Sequence, residues 1–227
     1  MRALLFGLLL LPAPQEAVDL QGKVTLAAGA TPKKRLKVNY QGPGIAARKP
    51  ESPAPIVVWL EGPPASKAQG KIERMLQEGL EFRPKVLAVQ AGTTVSFPNG
   101  DDVQHNVFSY SKAKRFDLGR YPKGESKDVV FEQKGLVEVS CEVHEHMRGY
   151  VVVVDHPWFA VVRDDGSYLI PRVPAGKHTL VAWKEGFEPV RKEIEVGGKG
   201  GTADLQIARE GDPDPDRTAG PAGCCGR

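Results

Sequence analysis

The brevity of its apolar runs is what most restricts how this chain can fold. Stretches such as Ile56-Val-Val-Trp-Leu60 and Tyr150 to Val154 are each closed within a few residues by Gly, Pro, Asn or Asp. No segment sustains the 3.6-residue apolar period of a long amphipathic helix, while period-two alternation recurs. The 25 glycines and 19 prolines supply turn residues at the spacing that many short strands need. The expected class is therefore all-β, built from sandwiches or barrels.

Strands are expected at Gly22 to Ala28, Leu36 to Tyr40, Ile56 to Leu60, Lys85 to Gln90, Thr93 to Phe97, Val103 to Tyr110, Asp128 to Phe131, Leu136 to Cys141 and Tyr150 to Val154. Residues 63 to 75 are polar and read as a loop or a short helical turn. A further set of strands and Gly turns runs from Phe159 to Ile207, and the Gly/Asp/Pro-rich residues 209–227 read as a disordered tail.

The N-terminus joins Arg2 to an apolar run from Ala3 to Leu11, then Pro-Ala-Pro-Gln-Glu-Ala. One positive charge and a short apolar stretch describe a signal peptide over residues 1–17. The run is too short for a membrane-spanning helix, which takes about 20 residues. With no cysteine nearby to carry a lipid, the expectation is export and a soluble life in the periplasm or outside the cell. A net charge of +3, without a basic run interleaved with aromatics, argues against nucleic acid.

That compartment makes one residue hard to explain. Of the three cysteines, Cys224 and Cys225 sit in the tail and Cys141 is left alone in the folded region. An exported protein ordinarily pairs its thiols, and a bare one invites oxidation. Side chains on a strand alternate faces, so Val137, Val139 and Cys141 share one side while Glu138 and Ser140 share the other. Cys141 is thus expected to point into the apolar interior at the end of its strand.

Near it in sequence lie His144, His146 and Met147, with His105 on an earlier strand. Two imidazoles, a thiolate and a weak thioether form the donor set that suits copper in both of its common oxidation states. His105, Cys141, His144 and Met147 are the expected ligands of one type 1 copper. Zinc accepts the same His and Cys donors, but a thioether is a poor choice for it. His146 competes with His144, yet adjacent His146 and Met147 could hardly reach one metal together; His146 reads as a surface residue near the site.

The run Cys141-Glu-Val-His-Glu-His-Met-Arg-Gly-Tyr-Val-Val-Val resembles the ligand loop of the cupredoxins, with spacing nearest the amicyanin type. His105-Asn106-Val107 resembles the first ligand strand of that family, in which the Asn side chain ties the two ligand loops together. The resemblance covers residues 71–155 and implies a Greek-key sandwich that passes single electrons between protein redox partners. The enzyme reading is weak, since Ser140 and Glu142 flank Cys141 where copper enzymes carry histidines leading to a second centre. A copper carrier or sensor, or a module with a structural metal, is the alternative.

Asp165-Gly-Ser-Tyr168, Val173-Pro-Ala-Gly176 and Gly186-Phe-Glu-Pro189 resemble the carboxypeptidase regulatory-like (transthyretin-like) sandwich. Its usual opening strands look like Gly22-Lys-Val-Thr-Leu26 and Ile56-Val-Val-Trp-Leu60. Residues 18–62 and 157–208 are therefore expected to form one small sandwich with the cupredoxin inserted in it. If instead 18–62 extends the cupredoxin, Val57 to Trp59 would pair only with cupredoxin strands.

Overall fold

The computed structural model describes residues 17–30 and 55–208; the expected signal peptide up to residue 16, the strand expected at Leu36 to Tyr40 and the expected tail from residue 209 lie outside them. The described residues contain strands and no helix: β1 (Ala17–Leu26), β2 (Val57–Glu61), β3 (Ile72–Arg74), β4 (Leu76–Gln77), β5 (Phe82–Arg83), β6 (Val86–Gln90), β7 (Thr93–Pro98), β8 (His105–Ser111) and β9 (Lys114–Tyr121). They continue as β10 (Ser126–Phe131), β11 (Gly135–Ser140), β12 (Arg148–Val154), β13 (Phe159–Val161), β14 (Ser167–Pro174), β15 (Gly176–Trp183), β16 (Val190–Val196), β17 (Gly201–Thr202) and β18 (Leu205–Ile207). The protein is all-β.

Four of the five sheets stack in sequence, and β4 and β5 form a two-stranded fifth. The first is β10-β7-β3 and the second β6-β12-β11-β8-β9. Between them lies a core of Phe97, Val107, Phe131, Val137, Val139, Cys141, Met147, Val151 and their neighbours. The third sheet, β13-β2-β15-β16, and the fourth, in which β14, β17 and β18 gather on β1, enclose a second core around Leu20, Leu60, Ile170 and Leu180. A third cluster of Val57, Val86, Tyr150, Val152, Val154 and Trp183 joins the second sheet to the third.

That joint explains the unbroken valine run. On β12, Val151 and Val153 face the first core while Tyr150, Val152 and Val154 face the third cluster, so residues 149–154 are all buried. A strand covered on both faces has no solvent side on which to place polar residues. β2 follows the same rule, sending Val57 to the joint and Val58 and Leu60 to the second core. β2 pairs with β13 and β15, and β1 with β14, β17 and β18; neither pairs with a strand of residues 71–155.

Two local departures from the sequence expectation stand out. β3 (Ile72–Arg74) lies where a loop or helical turn is expected, held by parallel pairing with β7. β9 pairs along β8 from His105↔Tyr121 to Ser111↔Lys114, although its charges and Gly119 hide the pattern. As an edge strand it buries Tyr121 at its end but only part of Phe116 and Leu118, so its apolar face is weakly written.

Candidate metal centre

β11 presents Val137 and Val139, both fully buried, on the core face, and the alternation carries through to Cys141, 2% exposed. Beyond it the loop folds back upon itself. The N–H of Met147 donates to the carbonyl of His144 at 2.8 Å, and that of Cys141 to the carbonyl of Met147 at 3.2 Å. This compact turn puts His144 at the half-exposed rim and Met147, 1% exposed, in the same core as Cys141.

His105 opens β8, on the other side of β11 from β12. It is fully buried, and its Nδ1 lies 3.1 Å from Nδ1 of His144 and 3.8 Å from Sγ of Cys141. Potential ligand atoms of His105, Cys141 and His144 all lie within 4.8 Å of one another, and among the described residues no other His, Cys, Asp or Glu group does so. Asn106 Oδ1 accepts a 2.8 Å hydrogen bond from the N–H of Glu142, which fastens the His105 strand to the ligand loop.

The electrostatics favour a metal-ready thiol. Burial pushes the Cys141 thiol up, but the His105 contact and the backbone N–H groups of Asn106, His144 and Val143 outweigh it and hold the thiol below its usual range. Burial pushes the His105 imidazole down, and Cys141 and Asp101 more than reverse that. His144 is held low by burial and by the neighbouring charges of His105 and His146. A pocket that lowers a thiol while presenting two imidazole nitrogens matches the donor requirements of copper, with a thioether-bearing residue in the adjoining core.

The remaining histidines stand apart. His146 is exposed, its ring 6.2 Å from that of His144, and it is not part of the donor group. His156 and His178 bond the carbonyls of Leu60 and Pro174. One site residue escapes sequence reasoning. Asp101 Oδ2 lies 2.9 Å from His105 Nε2, whereas its neighbour Asp102 pairs with exposed Lys123. Nothing in Gly100-Asp-Asp102 tells the two carboxylates apart.

Comparison with known proteins bears on residues 71–154, which match the family model described as copper binding proteins of the plastocyanin/azurin family. A search of curated proteins found no match. Among solved structures, a copper-containing nitrite reductase from Thermus scotoductus SA-01 is 24% identical over 43% of this chain, with a TM-score of 0.37. This chain spans a quarter (25%) of that enzyme's length. A purple cupredoxin from Nitrosopumilus maritimus is 26% identical over 36% of this chain and 98% of its own, with a TM-score of 0.33. A reduced amicyanin variant is 19% identical over 43% of this chain and 98% of its own, with a TM-score of 0.35.

Proposed function

We propose that this protein is an exported type 1 copper protein that carries single electrons between protein redox partners. The observation that carries the reading is the convergence of His105, Cys141 and His144 donors at the end of a strand, inside the segment that matches a copper-binding family. Met147 is the fourth, weak ligand, one copper is held per chain, and bound copper would supply a one-electron couple. The chain's own residues set the conditions. Burial of Cys141 and His105 excludes water, and the half-exposed His144 lies nearest the surface where a partner would dock.

The reading makes the protein a carrier and not a catalyst. Ser140 and Glu142 flank Cys141, leaving no adjoining histidine to lead electrons to a second centre. Residues 18–62 and 157–208 are read as one sandwich with the cupredoxin domain, 71–155, inserted between its halves; the pairing of β1 and β2 with C-terminal strands supports this. We assign that sandwich a binding or spacer role, in keeping with its regulatory-like sequence features. The signal-like N-terminus, residues 1–17, supports export.

Optical and spin-resonance spectra of copper-loaded protein test the proposal. Intense visible absorption from thiolate-to-copper charge transfer is the expected result, with a reversible one-electron couple. A colourless product that prefers zinc would reject it, and tight Cu(I) binding without reversible oxidation would point to a copper carrier or sensor instead.

A further inference from the structure

Asp101 lies outside the set of metal donors, yet the structure builds a seat for it. Its Oδ2 is 2.9 Å from Nε2 of His105, while the opposite ring nitrogen, Nδ1, faces Cys141 and His144. A carboxylate held ionised accepts and does not donate, so the hydrogen of that contact resides on Nε2. The Nδ1 lone pair is then left facing the donor cluster.

The carboxylate is fixed from behind. Backbone N–H groups of Gly79 and Leu80 donate to Oδ1 and Oδ2 at 2.6 and 2.8 Å. The N–H of Asp101 itself donates to Asn99 Oδ1 at 3.0 Å. Gly79 and Leu80 form the turn between β4 and β5, and both are left-handed, at φ 66° and 63°. For a leucine that conformation is unfavourable, and such strain persists where surrounding contacts demand it. Here it aims two successive N–H groups at one anion, as in the backbone nests that bind anions elsewhere.

We infer that Asp101, seated in the Gly79–Leu80 turn, is a positioning residue that fixes the tautomer and ring orientation of His105 before a metal arrives and strengthens Nδ1 as a donor. A hydrogen-bonded carboxylate behind a ligating imidazole acts in this way at metal sites generally. Its negative charge also favours the more highly charged state of whatever metal is bound. The metal half of the inference rests on the copper reading above; the tautomer half stands on the free protein.

Long-range 15N–1H NMR of the metal-free protein at alkaline pH reads the tautomer directly. His105 is expected as a single Nε2–H form in the parent and as a mixture in Asp101→Ala. In copper-loaded protein, Asp101→Ala should lose roughly 10–100-fold in copper affinity, the usual loss when such a partner is removed. Asp101→Asn, which keeps the shape and drops the charge, should raise the reduction potential, and Asp101→Glu should restore it in part. A merely structural aspartate would lower stability in these variants and leave both tautomer and potential unchanged. An unaltered His105 tautomer in Asp101→Ala overturns the inference, as does a copper affinity within about twofold of the parent. If the parent bound no copper, the copper reading would fall, and the tautomer comparison would still decide whether Asp101 positions His105.

Discussion

Asn106 and Glu142 are 36 residues apart in sequence, and a single 2.8 Å hydrogen bond from the Glu142 N–H to Asn106 Oδ1 holds together the two segments that supply the candidate ligands. Asn106 is 1% exposed, so water cannot readily replace the lost acceptor. Asn106→Ala should cost about 1–3 kcal/mol, since it empties a buried position and leaves the N–H of a part-buried contact without its partner. For a chain of this size that is a fall of roughly 2–12 °C in melting temperature. Asn106→Asp keeps an acceptor and should lose less. A melting curve for Asn106→Ala that overlays the parent would remove the tie from the account.

The donor cluster makes a sharp distinction between neighbouring residues. Cys141→Ser exchanges a thiolate for a hydroxyl and should abolish the charge-transfer colour of copper-loaded protein. His146→Ala removes an exposed side chain outside the cluster and should leave that spectrum largely intact. Absorption spectra of the two variants side by side check this. Colour retained in Cys141→Ser, or lost in His146→Ala, would mean that the ligands are misassigned.

Stability should depend on pH through His156, which is not part of the donor cluster. Its Nε2 bonds the Leu60 carbonyl and its Nδ1 accepts from the Trp158 N–H at 3.3 Å, an arrangement that requires the neutral ring. Burial holds its pKa below the ordinary 6.5, against the opposing pull of the Leu60 carbonyl and Asp155. Below that value the unfolded chain takes up a proton that the folded chain resists. The contribution of His156 is therefore complete above about 6.5 and is lost as pH falls. Denaturant midpoints for the parent and His156→Gln should converge on acidification; a gap constant between neutral and mildly acid pH would refute the assignment.

Leu60 tests how the chain is divided. It sits in the second core, on a strand that precedes residues 71–155 in sequence. Leu60→Ala should cost about 2–5 kcal/mol. If 18–62 and 157–208 form one sandwich, hydrogen exchange should accelerate most in β13 to β16 and least in β7 to β11. Equal or greater acceleration in β7 to β11 would assign β2 to the other unit.

Much of this was legible in the residues themselves. The β class followed from short runs punctuated by Gly and Pro, and the inward turn of Cys141 from the alternation Val137, Val139, Cys141. The order and spacing of His105, Cys141 and His144 marked out side chains that the fold brings together, and Met147 is buried in the same core as Cys141. Less was legible where the local pattern was weak. β9 is an edge strand with charges along its length, and the three residues of β3 gain their extended form from pairing with β7.

The sequence by itself therefore determined the chemistry available: which donors exist, which face Cys141 takes at the end of its strand, and where Gly and Pro interrupt the apolar runs. Tertiary structure alone decided what those donors meet. Asp101 and Asp102 are chemically identical neighbours, yet one is held behind His105 by a strained turn more than 20 residues earlier (Gly79 and Asp101 are 22 apart) and the other pairs with a surface lysine. β12 is apolar on both faces because the third sheet packs against the second, a fact its valines record without naming the partner. The physical reason is common to both cases. Local pattern fixes direction along the chain, whereas hydrogen bonds and burial depend on groups brought close only when distant segments pack.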